Sequence, residues 1–241
     1  MRYFALLVVV WTPLAAAQQN RSPAQQRIEA ALKRVQADPK SVTAYNDLTA
    51  AFCRKARDTG ELGLYDRAEA ALQHTLQLSP GNYAARKLQV VVFLGRRQFA
   101  QALKLATEVN NQTHDDIGGW GLLVDANIAL GNYAEAERDA QWILDLRRDS
   151  ALGFEKAAGL RELFGDFEGA IEFYNEAILR TSQNDADQRA WLLTKTAHLQ
   201  ILSRNLKQAG ELLDQALQLY PDSQLALGTL AKLRAARSAT Q

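Results

Sequence analysis

Three side chains able to engage a partner stand at i, i+4 and i+7 of one predicted helix: Trp191, Lys195 and His198. That spacing brings an indole, an ammonium and an imidazole onto one helix face. Indoles anchor partners and imidazoles respond to pH near neutrality. The chain offers less to catalysis. His74, His114 and His198 are scattered, with no His-Glu-x-x-His, no Gly-x-Ser-x-Gly and no phosphate-cradling glycine loop. Gly118, Gly119 and Gly121 follow no strand pattern and carry no dinucleotide-binding meaning. Asp125, Glu155 and Glu162 lie on predicted helices, where paired acids are common and become catalytic only if a pocket shifts their pKa. His114-Asp115-Asp116 gathers nitrogen and oxygen ligand types, but no second ligand cluster accompanies them, and loop and helix-cap chemistry accounts for both acids. Cys53 is the only cysteine, so no intramolecular disulfide forms, and it reads as a small buried apolar residue. No enzyme activity, cofactor or metal is expected.

The elements that position these residues repeat. Gly131-Asn132-Tyr133-Ala134-Glu135-Ala136 recurs as Gly165-Asp166-Phe167-Glu168-Gly169-Ala170. The step from Ala136 to Ala170 is the same as that from Ala68 to Ala102 and from Ala102 to Ala136, and a looser copy ending in Ala209 follows after a longer step. A fixed period in this range marks a stacked array. Each copy sits between two amphipathic helical patterns. In the third repeat, Trp120, Leu123, Val124 and Ile128 form one apolar face, and Tyr133, Ala136, Ala140, Ile143 and Leu144 form the next. Gly131 suits the left-handed residue that ends a helix. Ala136 and Ala140 let the two helices approach closely. One such hairpin cannot bury its apolar face alone, so neighbours stack on it.

The pattern resembles the tetratricopeptide repeat (TPR), in which an opening aromatic, a mid-repeat glycine, a following aromatic, small alanines and a closing proline recur at a period of about 34 residues. Trp120, Gly131, Tyr133 and Ala136 carry the match, as do Phe154, Gly165, Phe167, Ala170, Tyr174 and Ala177. Gly63, Tyr65, Ala68 and Pro80 supply it in the first repeat, and Ala209, Ala216 and Pro221 in the last. Arg97 and Arg204 replace the usual glycine, and Arg148 stands near the expected proline. The resemblance spans 24–237. It implies an all-α fold, an α-solenoid of stacked antiparallel helix hairpins wound as a right-handed TPR superhelix.

The expected organisation follows. Residues 1–17 read as a signal peptide: Arg2, an apolar run from Tyr3 to Leu14, then Ala15-Ala16-Ala17 before Gln18. The run is about 12 residues, short of the roughly 20 that span a membrane. An uncleaved anchor is the alternative. Residues 18–40 form a capping helix, a partial repeat. Five repeats fill 41–221, at about 41–81, 82–114, 115–149, 150–187 and 188–221, and 222–241 is a C-terminal capping helix and tail. Two insertions break the period. About seven extra residues around Cys53 to Gly60 would project two helical turns beyond the stack, read as a solvated end or a partner-contacting knob. Thr181 to Gln188 reads as a polar surface loop.

The whole chain carries 28 Lys+Arg against 27 Asp+Glu. Without the signal segment the balance is neutral, so no basic stripe for nucleic acid is expected, and no membrane insertion after cleavage. An exported, soluble, periplasmic or secreted protein is expected. Its function would be non-catalytic: a scaffold holding a protein or peptide partner in the concave groove of the array. The alternatives are an assembly factor that uses its edges or ends and, less favoured, an enzyme with an unfamiliar site. The orientation that the resemblance implies turns Asn46, Lys87, Asp125, Glu155, Lys156, Trp191, Lys195 and His198 towards the groove. A basic clamp for a C-terminal carboxylate is not reproduced, and Asp125 and Glu155 favour a ligand of positive or neutral polar character. The partner's identity and the oligomeric state are left open.

Overall fold

In the computed structural model, which describes residues 23–239, the five alanines that mark the period are fully buried: Ala68, Ala102, Ala136, Ala170 and Ala209. Each lies on the second helix of a hairpin. The hairpins are α2 (Val42–Thr59) with α3 (Gly63–Leu78), α4 (Tyr83–Gly95) with α5 (Phe99–Gln112), α6 (Ile117–Leu130) with α7 (Tyr133–Leu146), α8 (Ala151–Leu163) with α9 (Phe167–Arg180), and α10 (Ala186–Leu202) with α11 (Leu206–Leu219). The helix α1 (Pro23–Ala37) precedes them and α12 (Gln224–Ser238) follows. No strand occurs among the described residues. The segment expected to be a signal peptide lies outside them.

Local chemistry sets the helix ends. Ser41, Asn82, Asp116, Ser150 and Ser223 each accept a backbone N–H of the helix they precede, a cap worth about 1 kcal/mol. Gly131 and Gly165 end α6 and the α8 turn at φ 82° and 81°. Arg97 and Arg204, which replace that glycine, take the same left-handed turn at φ 60° and 64°. Those departures are in residue type and not in backbone geometry.

The helices stack as an all-α solenoid. Along its inner side α2 packs on α4, α4 on α6, α6 on α8, and α10 on α12, whereas α8 and α10 scarcely approach each other. Among the described residues no helix is long and apolar enough to cross a membrane.

The two ends of the array meet, which corrects the expectation of a solvated or projecting end on α2. The last two turns of α2, together with α1, lie against α10 and α12. Arg54 donates to Asp185 and Asp187 at 2.9 Å each. Arg27 pairs with the same two carboxylates at 2.9 and 2.7 Å. Ser223 Oγ donates to Asp58 at 2.8 Å. Arg57 donates to Gln188 at 3.1 Å, and its guanidinium lies 5.0 Å from the centre of the Trp191 ring. Ala24 of α1 is buried within the apolar cluster of the last hairpin and α12. The insertions that break the repeat period are therefore each other's partners. Both are polar because they form an ionic seam, not because both face water. The expected surface loop also changes character: only Ser182, Gln183 and Asn184 are fully exposed, and α10 begins at Ala186, inside the expected 150–187 unit. Asp185 makes no side-chain cap on α10, since its carboxylate turns to Arg27 and Arg54 instead.

Candidate functional site

Five of the eight groove candidates converge. Asp125 on α6, Glu155 and Lys156 on α8, and Trp191 and Lys195 on α10 line one cavity of about 490 Å³, with Ile128, Gly159, Glu162, Leu163 and Tyr174. The cavity opens where α8 and α10 part. The extra residues before α10 displace it from the spacing the other inner helices keep, and polar side chains span the gap. Gln188 donates to Glu155 at 2.7 Å, and Lys195 to Glu162 at 2.7 Å.

Asn46, Lys87 and His198 do not line it. Asn46 donates to Asn82, the cap of α4, at 3.1 Å, and Lys87 to Asp116, the cap of α6, at 2.8 Å. Lys156 reaches both oxygens of Asp125 at 2.7 and 2.8 Å. The inner face is thus laced from one repeat to the next, by bonds between residues 29 to 36 apart. His198 shares a helix with Trp191 and Lys195 but does not line the cavity. Burial, and then Lys232 and Lys195, hold its imidazole below the usual range against the opposing pull of Glu162.

Electrostatics inside the cavity are settled by pairing. Burial alone would lower the Lys156 ammonium, but Asp125 and then Glu155 outweigh it and hold the pKa above the ordinary value. The Tyr174 hydroxyl is pushed well up by burial and by Glu162, to which it donates at 2.9 Å. Three carboxylates, Asp125, Glu155 and Glu162, face two ammoniums, Lys156 and Lys195, leaving one net negative charge. The arrangement offers ion pairing, hydrogen bonding and stacking. Among the described residues no three metal-ligating side chains cluster; Asp116 caps α6 and holds Lys87 and Tyr83.

Sequence reasoning missed half the lining. Glu162, noted from the sequence only as an acid on a helix, accepts from Lys195, 33 residues further on. Tyr174 belongs to a second helix and so fell outside the inner-face reading; it is buried, with its hydroxyl end reaching the cavity. Tyr133, also expected in the core, is exposed and meets Phe164 edge-on at 5.9 Å between ring centres.

No family model matches this chain, and no curated protein matches it. Solved structures share its fold, an all-α helical-repeat solenoid of the TPR type. A thermophilic TPR protein of Thermus thermophilus superposes at TM-score 0.62, covering 78% of this chain and 98% of its own at 18% identity. A tetratricopeptide repeat protein of Parabacteroides merdae gives TM-score 0.66, with 91% of this chain and 81% of its own covered at 14% identity. The APC/C hetero-tetramer Cut9–Hcn1 gives 0.64 over 92% of this chain and 45% of its own, again at 14% identity. At these identities the likeness is one of fold.

Proposed function

We propose that this protein is a non-catalytic scaffold that holds a protein or peptide partner in the concave cavity between α8 and α10. The observation that carries this reading is the parting of those two helices. Every other pair of successive inner helices packs together, and the gap is lined by two aromatic rings, apolar side chains and charged groups rather than by small inert residues. Such concave, mostly apolar sites with a few placed polar groups are where ligands bind. Residues 1–17, read as a signal segment, support action outside the cytoplasm; N-terminal sequencing of the exported protein starting at Gln18 is the expected result, and a chain starting at Met1 would overturn it.

A second reading has its own observation. Leu130, Tyr133, Leu163 and Phe164 are exposed at the turn edge of the third and fourth repeats, a surface an assembly factor could present to a partner. One experiment separates the two. Peptides selected from a displayed library on the whole protein are tested against Gly159→Leu and against Tyr133→Ala/Phe164→Ala. A side chain at Gly159 meets nothing nearer than the Tyr174 hydroxyl at 4.0 Å, so leucine fills the cavity without a clash at its Cβ. Loss of binding only in Gly159→Leu supports the cavity, and loss only in the edge variant moves the site to the edge.

A further inference from the structure

Resting on the cavity reading, we propose that the cavity is a receptor for one basic side chain, lysine or arginine, carried by an otherwise apolar stretch of peptide. The argument begins with the walls. Ile128, Leu163, Tyr174 and Trp191 provide apolar surface, and Asp125, Glu155 and Glu162 provide carboxylates. That combination complements a side chain with a methylene stem and a charged head. An uncharged apolar side chain would leave the carboxylates desolvated beside it without a new partner.

The charges select the sign. Both cavity ammoniums are already committed, Lys156 to Asp125 and Glu155, and Lys195 to Glu162. An anionic ligand would have to take one of them and would add to a site that is already net negative. A cation has to take only Asp125 from Lys156, and it would offset the excess negative charge instead of adding to it. Asp125 is the most exposed of the three acids, its side chain 39% accessible, and the Lys156 it holds is bonded to Glu155 as well, at 3.4 Å. Asp125 can therefore turn to an incoming cation while Lys156 keeps a carboxylate. Asp125 is the reading residue, and Trp191 is the wall that positions the stem. Trp191 borders the cavity on one side and the ionic seam with Arg57 on the other, so its place is fixed before a ligand arrives.

The test uses the full chain and a labelled peptide series, Gly-Ala-Leu-X-Leu-Ala-Gly with blocked ends, where X is lysine, arginine, norleucine, glutamine or glutamate. Fluorescence anisotropy reads affinity, and circular dichroism melting confirms that each variant folds. The lysine and arginine peptides are expected to bind about tenfold or more tighter than norleucine, as removal of a charge-assisted bond implies, with glutamate weakest. Asp125→Asn should erase that preference, and Gly159→Leu should abolish binding of the whole series. If norleucine binds as well as lysine and Gly159→Leu still abolishes binding, the cavity is used but the charge assignment is wrong. If basic peptides bind and neither variant affects them, the attraction is to the general surface and the proposal falls. If no peptide of the series binds, the proposal falls, and the library selection above decides separately whether the cavity is used at all.

Discussion

The ionic seam between α2 and α10 makes a quantitative prediction. Asp187 is 5% exposed and lies within bonding distance of two guanidiniums, Arg54 and Arg27, whose side chains are 33% and 37% exposed. Breaking a fully buried ion pair costs about 3–5 kcal/mol, whereas an exposed pair is worth about 0–1 kcal/mol. Here the acid is buried, but water reaches both cations and rehydrates them when the acid is lost. The interaction therefore falls between those limits, at about 1–2 kcal/mol. Asp187 also sits in the first turn of α10, where a negative charge contributes about 0.3–1 kcal/mol against the helix dipole. A single substitution mixes the two effects, and a double-mutant cycle of Arg54→Ala and Asp187→Ala separates them. Urea unfolding of the four proteins should give a coupling energy of about 1–2 kcal/mol. Hydrogen exchange should quicken in α1, in the last turns of α2 and in the first turn of α10, and not in α6 or α7. A coupling within about 0.3–0.5 kcal/mol of zero, with unchanged exchange at both ends, would mean that the Arg54–Asp187 pair does not hold the seam.

Four further outcomes follow. Burial disfavours charge on Asp185, but its hydrogen bonds and the Arg54 and Arg27 charges outweigh it and hold the carboxyl well below the usual range. Its stabilising contribution is complete above the unfolded pKa of about 3.9 and is lost as pH falls from there towards the lower folded value. Small-angle scattering should show the array opening as the pH falls through that window, and a radius of gyration constant across the whole of it would count against the reasoning. Arg97→Gly and Arg204→Gly should each stabilise by about 0.5–1 kcal/mol, the left-handed strain relieved less the backbone entropy of glycine, seen as a raised melting temperature. Burial pushes the Cys53 thiol up to about 12, so it should resist alkylation at mildly alkaline pH and react only in denaturant. Ala136→Leu should overpack the third hairpin by about 1–3 kcal/mol in denaturant unfolding, and an unchanged midpoint would mean the register is misplaced.

The fold was legible because its signals are local and repeated. A buried alanine once per period, a glycine or its arginine substitute at the turn and a small polar cap before every inner helix except α10 all depend on neighbours a few residues away. The helix faces were also legible, and Asp125, Glu155, Lys156, Trp191 and Lys195, grouped from the sequence, line one cavity. Their pairing was harder to read. Whether Lys156 points at a ligand or at Asp125 depends on the rise and twist between repeats, which helical periodicity does not encode. The seam was hidden for a stronger reason. A polar helix end such as Arg54-Lys55-Ala56-Arg57-Asp58 has the composition of a solvated surface whether its partner is water or the acids 131 and 133 residues away. Only the accumulated curvature of the array brings the two together.

A linear repeat protein can gain or lose units, because each one answers only to its neighbours. This chain has given up that freedom. Arg27 bonds an acid 158 residues away, and Asp58 accepts from a serine 165 residues away, so the count of hairpins between them is set by the arc they must close. Removing one internal hairpin would preserve every local rule of the fold and still leave the seam residues unable to meet. Closure also gives the fold contacts of high sequence separation in an array otherwise built from local ones, and ordering such long loops carries the larger entropic cost. The described first and last helices are thereby each held by the opposite end of the array as well as by their own neighbours in sequence.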